Sequence, residues 1–115
     1  MQHALIIDEN MVVSRYLEER LSDYGFTSFS HAWTEDQAML AARRRRPDLV
    51  IVGDSIEEGS GVNAARRISE RYGVPALLVT TNSDEAKKAL PPGAELGGPF
   101  LLDEVRVAVA SATLN

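Results

Sequence analysis

Four short stretches of the chain carry the residues best placed for chemistry: Asp8 and Glu9, Gly53 and Asp54, Thr80 and Thr81, and Gly97 to Pro99. Asp8, Glu9, Asp54, Thr80 and Thr81 offer carboxylate and hydroxyl oxygens, which serve as cation ligands, nucleophiles or hydrogen-bonding groups. Thiol chemistry is excluded, because the chain has no cysteine. The same fact removes disulfides, thiolate zinc sites and iron–sulfur clusters. His3 and His31 stand alone, with no His, Cys or carboxylate at metal-ligand spacing. Ser14, Ser30 and Ser55 lack a Gly-x-Ser-x-Gly setting, so no catalytic triad is indicated. Gly59-Ser60-Gly61 lacks a following Lys-Ser/Thr pair and reads as a mobile turn into a helix, not a phosphate-cradling loop.

What positions these residues is an alternation of short apolar runs with helical stripes. Ala4 to Asp8 reads as a buried strand. Val13, Leu17, Leu21 and Tyr24 recur at helical spacing, and Gly25 ends that helix. Thr27 to His31 reads as a half-exposed strand. Thr34-Glu35-Asp36-Gln37 is a capping box, with Thr34 bonding the amide of Gln37 and Gln37 reaching back. The helix it opens runs to the arginines before Pro47. Leu49 to Val52 is a continuous aliphatic run, as a strand covered on both faces requires. Val62, Ala65, Ile68 and Tyr72 form a third stripe, and Pro75 to Thr80 holds a fourth strand. Ser83 is expected to cap a short helix over Asp84 to Leu90. A poor fifth strand is placed near Glu95 to Gly97, and Asp103 caps a last helix from about Glu104 to Thr113. Five strand-then-helix units predict an α/β fold: a doubly wound, five-stranded parallel sheet with helices on both faces. In such sheets sites form at the carboxyl ends of the strands, where all four chemical stretches fall.

Composition narrows the function. The 115 residues fit one domain, expected to be a single unit over residues 1–115 with no output domain. Lys and Arg number 12 against 17 Asp and Glu, for a net charge of −5, which argues against a nucleic-acid partner. No run approaches the ~20 apolar residues of a membrane span, and no secretory leader is apparent, so no membrane partner and a cytoplasmic location are expected. Arg43 to Arg46 is a basic run. It reads first as cations complementing a helix C-terminus, at roughly a few tenths of a kcal/mol each. A docking patch for an acidic partner or a phosphate backbone is the other reading.

With these elements in place, the chain resembles the receiver domain of bacterial two-component response regulators. The resemblance rests on Ile7-Asp8-Glu9-Asn10 after the first strand and Pro47-Asp48-Leu49-Val50-Ile51-Val52 at the third. It draws also on Gly61 opening the third helix, Thr80 ending the fourth strand, and Gly93-Ala94 followed by Pro99-Phe100. It implies strand order 2-1-3-4-5, and it implies phosphoryl transfer from a kinase histidine to an aspartate beside a Mg²⁺-binding acidic pair. Carried over by position, the acidic pair is Asp8 and Glu9, and the switch hydroxyl is Thr80.

Three positions depart from that pattern, one of them the aromatic residue usual on the fifth strand, in whose neighbourhood stand Glu95 and Leu96. Counting forward from Pro47-Asp48 and back from Gly61 both put the phosphoacceptor on Gly53, which has no side chain. The lysine that should precede Pro99 is Gly98. The reading is therefore a stand-alone atypical receiver, or pseudo-receiver, in phosphorelay signal transduction. It would act through protein–protein contacts without conventional aspartyl phosphorylation, and it would not be an enzyme. No cofactor is required. Mg²⁺ would bind weakly through Asp8, Glu9 and Asp54. The alternative is a phosphorylatable single-domain regulator using Asp54 with Mg²⁺, and a second alternative is a flavodoxin-like module binding a small ligand. The expected partner is a histidine kinase, a phosphotransfer protein or another regulator. The last helix is apolar nearly all round, and a homodimer through it is the further expectation, with Val105, Val107 and Ala110 as the contact residues.

Overall fold

In the computed structural model, residues 2–53, 59–80, 97–101 and 104–113 are described. The elements run β1 (Gln2–Ile7), α1 (Met11–Ser22), β2 (Phe26–Ala32), α2 (Glu35–Arg44), β3 (Leu49–Val52), α3 (Gly61–Tyr72), β4 (Ala76–Thr80), β5 (Gly97–Leu101) and α4 (Val105–Thr113). The strands form one sheet in the order β2-β1-β3-β4-β5, with every neighbouring pair parallel. This is the doubly wound order expected from the resemblance.

Strand alternation explains why helices must cover both faces. Leu5, Ile7, Val50, Val52 and Leu78 point to one side, where Ala38 and Ala42 of α2 and Ala64, Ala65 and Ile68 of α3 meet them. Ala4, Ile6, Leu49, Ile51, Leu77 and Val79 point to the other, against Leu17 and Leu21 of α1 and Val105, Ala108 and Val109 of α4. A strand buried on both faces has no polar side to alternate with, so β3 reads as the unbroken run Leu-Val-Ile-Val.

Polar residues fix the helix starts. Asn10, Thr34 and Ser60 are N-caps whose side chains accept from amides of the first turn. The capping box forms with one change: Thr34 accepts from the Gln37 amide at 3.0 Å, while Gln37 Oε1 accepts from the amide of Trp33, not of Thr34. Gly73 ends α3 with φ +65°, a left-handed conformation that a side chain would disfavour.

The fifth strand lies later than the sequence pattern placed it. It spans Gly97–Leu101, not Glu95 to Gly97. Pro99 is tolerated because β5 is an edge strand, where a missing amide need not break a ladder. The helix expected over Asp84 to Leu90, and the cap Asp103, lie outside the described residues.

Candidate functional site

The site is built where β1 and β3 end, beside the switch in strand order. Ile7 pairs with Val52, so Asp8 and Gly53 leave the sheet side by side. Gly53 donates its amide to the Ile7 carbonyl at 2.9 Å, and Asp8 donates its own to Ala32 at 3.1 Å. Asp8 is 2% exposed and Thr80, at the end of β4, is 2% exposed. Glu9 is exposed.

The Asp8 carboxylate is committed on both sides. Its Oδ1 accepts from the Asn10 amide at 2.7 Å, which sets the turn that lets Asn10 cap α1. Its Oδ2 occupies the space where a Cβ on Gly53 would stand, and Asp8 Cγ would lie 2.7 Å from that Cβ. The place where a side chain on residue 53 would begin is therefore filled by its neighbour's carboxylate. This close approach requires a glycine.

The described residues do not assemble a Mg²⁺ site. Such an ion takes carboxylates in near-octahedral array. Asp8 and Glu9 are adjacent, but among the described residues no group of three His, Cys, Asp or Glu could hold a metal. Asp54, the third expected ligand and the alternative phosphoacceptor, lies outside the described residues, as does Thr81.

The lysine position also moves. The β4–β5 register places Leu101 beside Thr80 and Gly97 beside Leu77, with a register shift between. Gly98 therefore lies below the strand end, and the residue level with Thr80 is Leu101. No residue of β5 is a lysine.

Of the three residues expected as contacts on the last helix, Val105 is not available to a second copy. It is 0% exposed and packs in the core against α1 and the sheet, because it shares the inward stripe with Ala108 and Val109. Val107 is 67% exposed, and Ala110 is half-buried.

Two polar clusters escaped the sequence reading. The first is centred on Glu35, which entered it only as part of a capping box. Its Oε1 accepts from the Ser60 amide at 2.9 Å, and its Oε2 from Asn63 Nδ2 at 2.7 Å and Arg67 Nη1 at 3.4 Å. The Ser60 amide above all, then the Asn63 amide, holds the Glu35 carboxyl below the ordinary carboxylate range, against a smaller opposing effect of burial. The second cluster lies at the other end of the sheet. The His3 ring is hydrogen-bonded through Nδ1 to the Ser28 hydroxyl and through Nε2 to the Ser30 hydroxyl, both at 2.8 Å. Burial, and next the nearby Arg45, push the His3 pKa down, while Asp48 pulls it up. The paired serines two residues apart on β2 were the available signal for this cluster.

Comparison with known proteins agrees with this geometry. A family model described as the response regulator receiver domain matches residues 4–96. The KDP operon transcriptional regulatory protein KdpE of Escherichia coli is 29% identical over 97% of this chain and 51% of its own length. The chain spans about half the length, or less, of the curated relatives it matches. Among solved structures, the receiver domain of the PhyR response regulator of Erythrobacter litoralis superposes with a TM-score of 0.79 at 24% identity, covering 98% of this chain and 90% of that one. Vibrio cholerae chemotaxis protein CheY4 gives a TM-score of 0.77 at 19% identity, covering 97% of this chain and 98% of that one.

Proposed function

The chain belongs to the response regulator receiver domain family, and on that premise we propose that it is an atypical receiver that signals through protein contacts instead of an aspartyl phosphate. The observation that carries this reading is the Asp8 carboxylate standing over Gly53. Transfer of a phosphoryl group to this fold needs a carboxylate at the end of the third strand and positive charge to offset that of the incoming group. Gly53 supplies no nucleophile. Asp8, which would otherwise face a cation, is held by the Asn10 amide and fills the neighbouring space.

The partner on this reading is a cytoplasmic signalling protein: a histidine kinase, a phosphotransfer protein or another regulator. A second copy of the chain is the further contact, made through Val107 on α4. Its support is one large apolar side chain left 67% exposed on a helix whose Val105, Ala108 and Val109 are buried in the core.

The test is intact-mass measurement after incubation with acetyl phosphate and Mg²⁺. The expected result is an unchanged mass. A gain of one phosphoryl group, abolished by Asp54→Asn, would replace this reading with that of a phosphorylatable regulator using Asp54.

A further inference from the structure

Five arginines gather at the end of the molecule opposite Asp8. Arg43 and Arg44 form the last turn of α2, Arg45 is its C-cap with extended backbone, Arg46 follows, and Arg71 lies in the last turn of α3. The two helices pack side by side, and Arg46 Nη2 donates to the Tyr72 carbonyl at 2.9 Å, so their C-terminal ends are directly joined. All five side chains are exposed.

Complementing the helix dipoles accounts for only part of this charge. A helix C-terminus carries roughly half a negative charge, so two of them offset about one cation. Arg46 is used on the Tyr72 carbonyl, and Arg71 stacks over the Tyr72 ring at 5.8 Å. The nearby Asp48 carboxylate accepts from the His3 amide. Glu70 lies 4.0 Å from Arg66, on α3. The side chains of Arg43, Arg44 and Arg45 have no carboxylate or hydrogen-bond partner among the described residues. Their field reaches the interior, since Arg45 helps to keep the His3 ring neutral. In a chain of net charge −5 this is a local reversal of sign, held against the mutual repulsion of its own members.

We propose that the C-terminal ends of α2 and α3 form a docking surface for an acidic segment of a partner protein. Guanidinium forks match carboxylates bidentately, and bringing carboxylates to them relieves the repulsion. The patch is confined to two helix ends about 10 Å apart, a span suited to a few carboxylates of a peptide. The acidic remainder of the chain repels an extended nucleic-acid backbone. The surface is remote from Asp8 and Gly53 and independent of whether any aspartate is phosphorylated.

The test uses a fluorescently labelled octaglutamate peptide, followed by anisotropy at low and at physiological salt. The wild-type protein should bind it, more weakly as salt rises. Arg43→Gln/Arg44→Gln should lower the affinity about tenfold or more, and Arg45→Gln, outside the helix, should lower it in the same direction. Arg15→Gln/Arg106→Gln makes the same change in net charge at exposed positions elsewhere and should leave binding within about twofold. Circular dichroism confirms that each variant is folded. Equal loss in the two double variants, no loss in Arg43→Gln/Arg44→Gln, or tighter binding of a short DNA duplex than of the peptide would overturn the proposal.

Discussion

Asn63 Nδ2 donates to Glu35 Oε2 at 2.7 Å, tying the first turn of α3 to the first turn of α2. Glu35 also takes the Ser60 amide, which opens α3, and its Cβ lies so near Gly59 that a Cβ there would stand 2.7 Å away. One carboxylate therefore holds Gly59 and Ser60, the residues that open α3. Gly59, with φ +83°, provides both the turn and the clearance.

Glu35→Gln keeps the size and removes the charge, so it should lower stability at neutral pH by about 1–2 kcal/mol, the worth of hydrogen bonds to a charged acceptor less solvent screening of Arg67. The pH dependence has a definite sign. The folded-state pKa of Glu35 is depressed, so its contribution is present above the unfolded value of about 4.5 and is lost as pH falls through the folded one. Urea unfolding of both proteins at pH 7 and near pH 3 checks this, and the gap between them should narrow in acid.

Asp8 and Gly53 should be energetically coupled. Gly53→Ala forces the Asp8 carboxylate to rotate away and to give up the Asn10 amide. The expected loss is about 1–3 kcal/mol. In an Asp8→Ala background the space is open, and the same substitution should cost far less. A double-mutant cycle by chemical denaturation measures the difference, and a coupling below about 0.5 kcal/mol would contradict the crowding.

The parts of this structure legible in the sequence are those set by local pattern. The run Leu49 to Val52 announces its strand because both of its faces are covered, and Thr34 announces the start of α2 because its hydroxyl bonds an amide three residues on. The fifth strand was misplaced because Phe100 and Leu101 follow two glycines and a proline, a loop signature that only an edge position overrides. Glu35 gave no signal because its partners are 25, 28 and 32 residues distant. Gly53 was legible as a missing side chain. That Asp8 fills its place depends on the β1–β3 register, which no local pattern encodes.

His3 should make stability sensitive to mild acid. Its folded-state pKa is lowered, first by burial and then by Arg45, so the unfolded chain takes up the proton more readily. Stability is then retained above the unfolded value of about 6.5 and declines as pH falls from there toward the folded value. The neutral ring donates through one nitrogen and accepts through the other, and the Ser28 and Ser30 hydroxyls can satisfy either tautomer. Thermal melts across pH 7.5 to 5 should fall more steeply for wild type than for His3→Gln (about one proton's worth of slope). Parallel curves would show that the ring does not titrate with unfolding.

Val107 separates self-association from folding. Its side chain is exposed while Val105, Ala108 and Val109 on the same helix are buried, so changing it should leave the core intact. Val107→Glu is expected to alter stability by no more than about 0.5 kcal/mol. Burying a valine stabilises by about 1.5 kcal/mol or more, and a two-fold dimer would use the contact twice. Two such contacts fall short of the cost of association, so the self-contact needs further buried area around Val107; if it forms, multi-angle light scattering over a concentration series should show a wild-type dimer that Val107→Glu converts to monomer at unchanged melting temperature of the monomeric form. Val109→Ala is the converse control: it should lower the melting temperature by opening a core cavity, while leaving the surface that a second copy would meet unaltered. A wild-type protein that remains monomeric at every concentration would remove the self-contact and leave Val107 to a different partner.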